Sequence, residues 1–240
     1  LMRSSAASDV YKRQFMNTYL DGEGGVFMEK SYTKIYTTGA TVPLKIRPGH
    51  FATNHAHINY YIDVTTLKAR TKEAEEVAQA LVGMYLYDTV IDTIVCMEGT
   101  EVIGAFLAEE LAKGGFLSTN AHKSIYVISP EFNNNSQIIF RDNLIPMIRD
   151  KHVMILMASV TTGRTLNKAV ESIQYYGGIL QGASAIFSAM DSLDGVPIKS
   201  VFGKKDLPDY TYSDYRDCPL CKAGKKIDAL VNTFGYSPMG

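Results

Sequence analysis

Along residues 153–178 the polarity pattern changes twice. An apolar run at 153–157 shows no alternation and predicts a strand covered on both faces. After a polar segment, Ala169, Val170, Ile173 and Tyr176 recur at helical spacing. The pattern reads strand, tight turn, helix, and it is repeated upstream. Ala74, Val77, Ala80, Leu81 and Met84 fall every three or four positions among charged residues and predict a helix over 71–87. A strand follows at 93–96, then a short loop and a second helical period over 102–111. Apolar stretches at 124–128 and 183–187 predict two more strands. Before all of these, 26–46 is rich in Thr and Tyr, is broken by Gly39 and Pro43, and predicts one or two short strands, with another at 58–64.

Strands that alternate with helices predict an α/β fold: a mostly parallel sheet flanked by helices, with its loops gathered at the carboxyl ends of the strands, where ligands bind. No internal repeat of ~20–50 residues is visible, which excludes a solenoid or propeller. Residues 1–14, LMRSSAASDVYKRQ, have neither period and read as translated adaptor sequence or a disordered tail. The expected organisation is that tail, a small N-terminal hood at 15–70, a core at 71–205 and a C-terminal extension at 206–240 bearing a Cys-x-x-Cys turn.

The turn at 159–165 carries the strongest chemical signal. Ser159, Val160, Thr161, Thr162, Gly163, Arg164 and Thr165 sit where a helix begins. A helix start presents unpaired N–H groups and the positive end of the dipole, with hydroxyl donors around a permissive glycine. A phosphate monoester fits such a place. Arg164 could add a forked contact to that anion or project into solvent. A first-turn arginine opposes the helix dipole unless an anion is present.

Strand, T-T-G-x-T turn, helix, Gly177-Gly178 and a further apolar strand together resemble the PRPP-binding signature of type I phosphoribosyltransferases. The resemblance covers most of the chain and implies that family's fold, with the threonine turn as the 5-phosphate loop. Tyr61, Ile62 and Asp63, after a glycine-led stretch, resemble the hood of the orotate branch. The activity implied is transfer of the ribose 5-phosphate of PRPP to a pyrimidine base such as orotate, releasing pyrophosphate with Mg2+ as cofactor. The implied partners are PRPP and a nucleobase or nucleotide, and the implied assembly is a homodimer. Two features depart from the family pattern. Met157 and Ala158 stand where two acidic residues normally hold the ribose hydroxyls and magnesium, and 124–140 contains no Lys, Arg or His where a basic loop is usual. The alternative implied is a catalytically impaired protein that binds PRPP or a nucleotide. Lys123 and Arg141 are possible replacements for the missing cations, and Asp63, Glu98, Arg164 and Asp191 could restore other lost charge. By position, Met97, Glu98, Gly99 and Thr100 correspond to the pyrophosphate loop, or to no more than a turn and an N-cap with Glu101 near the helix start. Asp191 falls where this fold often meets the base, or ends a strand.

Composition narrows the partners. The chain has 240 residues, 46% hydrophobic and 20% charged, with a formal net charge of −1. This describes a folded globule without the basic face that nucleic acid or an anionic membrane would attract. No apolar run reaches the ~18 residues of a membrane span, and no leader is visible, so a cytoplasmic location is expected. Three cysteines, Cys96, Cys218 and Cys221, are too few for a disulfide framework. Cys218 and Cys221 form a CPLC knuckle like half of a zinc ribbon, which would need histidines or a second copy to complete four ligands; otherwise it is a reduced structural turn. His55 and His57 would share one face of a strand and could chelate a metal or decorate the hood.

Overall fold

The computed structural model describes residues 32–113 and 118–239. The expectations for 1–14 and for 26–31 lie outside the described residues. Within them the sheet that positions the site is built from β4 (Thr93–Cys96), β5 (Tyr126–Ile128), β8 (His152–Val160), β9 (Ile179–Ser188), β10 (Ser192–Leu193) and β11 (Val196–Gly203). Their order across the sheet is β10-β11-β9-β8-β4-β5. All neighbours are parallel except β10, which folds back on β11.

Helix α2 (Thr71–Val82) and helix α3 (Glu101–Lys113) cover one face, and helix α4 (Arg164–Tyr175) covers the other. Period two along β8 explains why its run is wholly apolar. Val153, Ile155 and Met157 pack with Leu166, Ala169 and Ile173 of α4, while Met154 faces Ser184 and Tyr85 on the other side. Gly104 lets α3 approach that second face, since a Cβ there would meet the Cys96 sulfur at 2.4 Å. Tyr85 is buried beneath Lys199, 4.2 Å from its ring centre, and burial pushes its hydroxyl pKa up to about 12.

Starting from β4, the chain goes to β5 on one side and later returns to β8 on the other. The order therefore reverses between β4 and β8, and the crevice beyond their carboxyl ends is the switch point where open parallel sheets bind ligands.

Over this crevice lies a second sheet, comprising β1 (Thr33–Ile35), β2 (Leu44–Ala52), β3 (His57–Asp63), β12 (Tyr212–Ser213), β13 (Ala229–Asn232) and β14 (Gly235–Pro238). Its order is β12-β3-β2-β13-β14, with β1 on β2. The hood and the C-terminal extension, read from sequence as separate regions, thus share one sheet. A short helix, α1 (Thr65–Ala69), leads from β3 toward the core, and a four-residue helix, α5 (Pro219–Lys222), carries the Cys-x-x-Cys turn.

Several expected boundaries move. Strand β8 continues to Val160 because parallel pairing with β9 persists to Val160 opposite Ser188. The helix expected over 71–87 ends at Val82, with Gly83 as its cap. Strand β2 runs on through Pro48 and Gly49, with a register shift between Pro48 and Phe51. Strand β11 had no separate expectation, since Pro197, Lys199 and Ser200 interrupt its apolar pattern. The polar segment after β5 forms a hairpin of β6 (Glu131–Phe132) and β7 (Ile138–Ile139). No helix among the described residues is long and apolar enough to cross a membrane.

Candidate functional site

A cavity of about 230 Å³ opens at the switch point between the two sheets. Its floor is the end of β8 and the start of α4, and Ser159, Val160, Thr161, Thr162, Gly163, Arg164 and Thr165 all line it. The turn proper is shorter than the seven-residue loop expected. Ser159 and Val160 still belong to β8, Thr161 to Gly163 make the turn, and Arg164 and Thr165 form the first turn of α4. Gly163 turns the chain with φ of +75°, and a Cβ there would also meet the Leu193 side chain at 2.8 Å. No side chain caps this helix start, so its leading N–H groups are left for whatever enters the cavity.

The hydroxyls divide into two kinds. The Thr161 hydroxyl lies 3.0 Å from the Tyr210 hydroxyl, fixing the turn to a buried ring whose pKa burial pushes up to about 12. Thr162 and Thr165 make no such bond with another described residue, and both face the cavity.

Arg164 lines the cavity opposite His55, which reaches in from the turn between β2 and β3. The His55 pKa is held below its ordinary value, first by partial burial and then by the charges of Arg164 and Lys168. His55 therefore does not share a metal-binding face with His57, as their spacing had suggested; the turn separates them.

The β4–α3 loop contributes less than expected. Glu98 lines the cavity, whereas Met97 and Thr100 are buried and Gly99 is exposed away from it. Thr100 donates to Met97 O at 2.9 Å and to Leu156 O at 3.0 Å, tying the loop to β8. Glu98 and Gly99 both adopt left-handed backbone, with φ of 60° and 80°, and this turns the Glu98 carboxylate back toward β8. There it accepts the Ser159 N–H at 3.3 Å. Desolvation raises its pKa, against the lowering effects of the Ser159 N–H, Lys68 and the Ala158 N–H. Lys68 on α1 bridges the walls, donating to Glu98 O at 2.6 Å and to Thr233 O at 3.1 Å.

Other candidates fall elsewhere. Asp191 is outside the cavity lining, and its carbonyl accepts the Ile198 N–H where β9 turns into β10. Arg141 is held by Glu131 in the β6–β7 hairpin at 2.6 Å, and Lys123 lies 3.6 Å from Asp92. Met157 and Ala158, by contrast, do line the cavity from the end of β8, although both are nearly buried. Asp63 accepts the Thr65 N–H ahead of α1. Cys218 and Cys221 lie away from the cavity, on the hood. Sequence reasoning missed Lys68 and the 231–235 wall. Neither segment carries a motif: Lys68 comes in on α1 after β3, and the 231–235 segment arrives through the pairing of β13 with β2.

The class defined by these features is an α/β protein whose switch point holds an uncapped helix start with Arg164, Lys68 and Glu98 around it. Solved structures similar to the chain include phosphoribosyltransferases. One from Corynebacterium diphtheriae shares 14% identity, with 68% of this chain and 90% of that one covered and a TM-score of 0.49. Orotate phosphoribosyltransferase of Mycobacterium tuberculosis in complex with PRPP shares 14%, covering 61% and 82%, at 0.45. Adenine phosphoribosyltransferase of Leishmania donovani shares 12%, covering 66% and 77%, at 0.44. No family model and no curated protein matches the sequence.

Proposed function

We propose that the cavity binds the ribose 5-phosphate part of PRPP, and that the protein is a phosphoribosyltransferase of the orotate-like kind. The carrying observation is the uncapped start of α4, flanked by Thr162, Thr165 and Arg164 and opening into the cavity. The hood supports the pyrimidine branch, since Tyr61 and Ile62, two of the three residues that resemble it, line the same cavity.

In this reading a ring nitrogen of the base, its proton given up to water, forms a bond to the anomeric carbon of PRPP as that carbon's bond to pyrophosphate breaks, the electron pair leaving with the pyrophosphate. Positive charge develops on the ribose and negative charge on the leaving group, so pre-placed opposite charges govern the rate. The chain holds the substrate by the 5-phosphate: helix N–H groups and hydroxyls fix one end and Arg164 neutralises it. Glu98, the one carboxylate among the described lining residues, is the residue that would hold a Mg2+ ion. That ion would supply charge neutralisation at the diphosphate. A homodimer and a cytoplasmic location belong to the same proposal, and light scattering tests the first.

A second reading, binding of PRPP or a nucleotide without turnover, is favoured by one specific observation. The two positions for the ribose-binding acids are Met157 and Ala158, 1% and 4% exposed, and the candidate replacement cations Lys123 and Arg141 are engaged outside the cavity. Calorimetry with PRPP, paired with a pyrophosphate-release assay containing orotate and Mg2+, separates the two. Binding with release supports the transferase, and binding without release supports the second reading. Absence of PRPP binding at millimolar concentration, a limit of about −4 kcal/mol, overturns both.

A further inference from the structure

Four side chains far apart in sequence converge on the outer side of the hood: His50 on β2, His57 at the start of β3, and Cys218 and Cys221 around α5. Their ligand atoms all lie within 4.8 Å of one another. The geometry points to a structural zinc site of the Cys2His2 type, and we propose that this chain binds one Zn2+ there.

The edge lengths carry the assignment. Tetrahedral zinc with Zn–N of about 2.05 Å and Zn–S of about 2.3 Å sets its ligand atoms about 3.3 Å apart for N to N and about 3.5 Å for N to S. Here His50 Nε2 lies 3.1 Å from His57 Nδ1. Cys218 Sγ lies 3.5 Å and Cys221 Sγ 3.6 Å from His50 Nε2, and Cys221 Sγ lies 3.2 Å from His57 Nδ1. These four edges match a tetrahedron, and the two remaining ones, from Cys218 Sγ to Cys221 Sγ and to His57 Nδ1, are no longer than 4.8 Å.

Protonation agrees with the distances. His50 Nδ1 is 2.8 Å from Lys225 O. A carbonyl can only accept, so Nδ1 carries the proton. In the neutral ring Nε2 is then a bare lone pair, and it is this atom that faces the other three ligands. An imidazole fixed through its far nitrogen is the usual outer-shell arrangement of a zinc-bound histidine.

His50 is also fully buried and clamped through its backbone. Its N–H donates to the Asp228 carboxylate at 2.7 Å, and its carbonyl accepts the Asp228 N–H at 2.7 Å. The donor set, two thiols and two imidazoles with no open position, suits zinc in a structural role rather than Mg2+ or Ca2+, which take oxygen ligands. Such a site would tie the extension to β2 and β3 just before β13, whose end forms a wall of the cavity.

The test uses the full chain expressed in zinc-supplemented medium. Native mass spectrometry and elemental analysis should find about one zinc per chain. Replacement by Co2+ should give the visible spectrum of a tetrahedral ion with thiolate-to-metal charge transfer. His50→Ala and Cys221→Ser should each lose the stoichiometric zinc, while His55→Gln should keep it. Where a ligand variant fails to fold, the wild-type stoichiometry and cobalt spectrum still decide. Folded wild-type protein with less than about a tenth of an equivalent of zinc and no tetrahedral cobalt spectrum would overturn the assignment. Zinc retained by the Cys218→Ser/Cys221→Ser double variant would do the same.

Discussion

The loops after β4 and β8 follow the same plan, parallel strand, short turn with a left-handed glycine, helix, and they flank the same crevice, yet they use their polar groups in opposite ways. After β4, Thr100 spends its hydroxyl on Met97 O and Leu156 O, and Glu98 turns its carboxylate onto the N–H of Ser159. After β8, the Thr162 and Thr165 hydroxyls and the helix N–H groups face the cavity without a side-chain cap. A strand–loop–helix unit becomes an anion site only where its donors are not already consumed by the fold. In this chain the β8 turn is left open for a ligand and the β4 loop works mainly as an internal brace.

Charge reversal offers the largest way to break that contrast. Arg164→Glu should weaken PRPP binding about 100-fold or more, since a charge-assisted contact worth roughly 1.5–3 kcal/mol is replaced by repulsion. Calorimetry checks it, and the thermal midpoint should hold because Arg164 is exposed. The brace should show the converse. Thr100→Val removes the hydroxyl donor from buried Met97 O and leaves Leu156 O with the Met97 N–H alone, and should lower unfolding stability by about 1–3 kcal/mol in urea titration, with PRPP affinity within about twofold of wild type for the protein that remains folded.

A smaller effect is expected from Thr162→Val. One hydroxyl donor to an ionised phosphate, worth about 1.5 kcal/mol where helix N–H groups and Arg164 share the same anion, predicts a loss of roughly tenfold in affinity with no shift in melting temperature. Gly163 is a poorer probe of the same turn. Its positive φ and the nearby Leu193 mean that any side chain there disturbs the fold as well as the site.

The smallest effect concerns pH. His55 has a depressed pKa and is therefore mostly neutral at pH 7 in the free protein. An anion held near Arg164 would oppose the repulsion that causes part of the depression, so binding should raise that pKa and take up protons. PRPP affinity should then rise a few-fold as pH falls from 8 to 6.5, and His55→Gln should flatten the profile. For folding alone the sign is reversed: a depressed histidine pKa contributes stability above its unfolded value near 6.5 that is lost as pH falls through the folded pKa.

What could be read from the sequence was local in origin. Residues 153–176 disclose strand, turn and helix because each element declares itself within a few positions, and T-T-G fixes the turn between them. The acidic loop after β4 was placed correctly on the chain, but only three dimensions show that Thr100 faces inward while Glu98 reaches β8. The histidines illustrate the limit most clearly. Spacing paired His55 with His57, but the turn after β2 sends His55 to the cavity and leaves His57 beside His50 and two cysteines more than 150 positions later. Pairing of β13 with β2 is equally non-local, so neither the Thr233 wall nor its tie to Lys68 had a sequence signature. Period and motif report neighbours along the chain, and sheet partners must be seen in space.

A crystal structure of the protein soaked with ribose 5-phosphate tests the central claim most directly. The phosphate should sit within hydrogen-bond distance of the backbone N–H groups and hydroxyls between Thr162 and Thr165, with Arg164 against it. A phosphate bound at the β4–α3 loop, or a turn after β8 still empty at saturating ligand, would contradict the account.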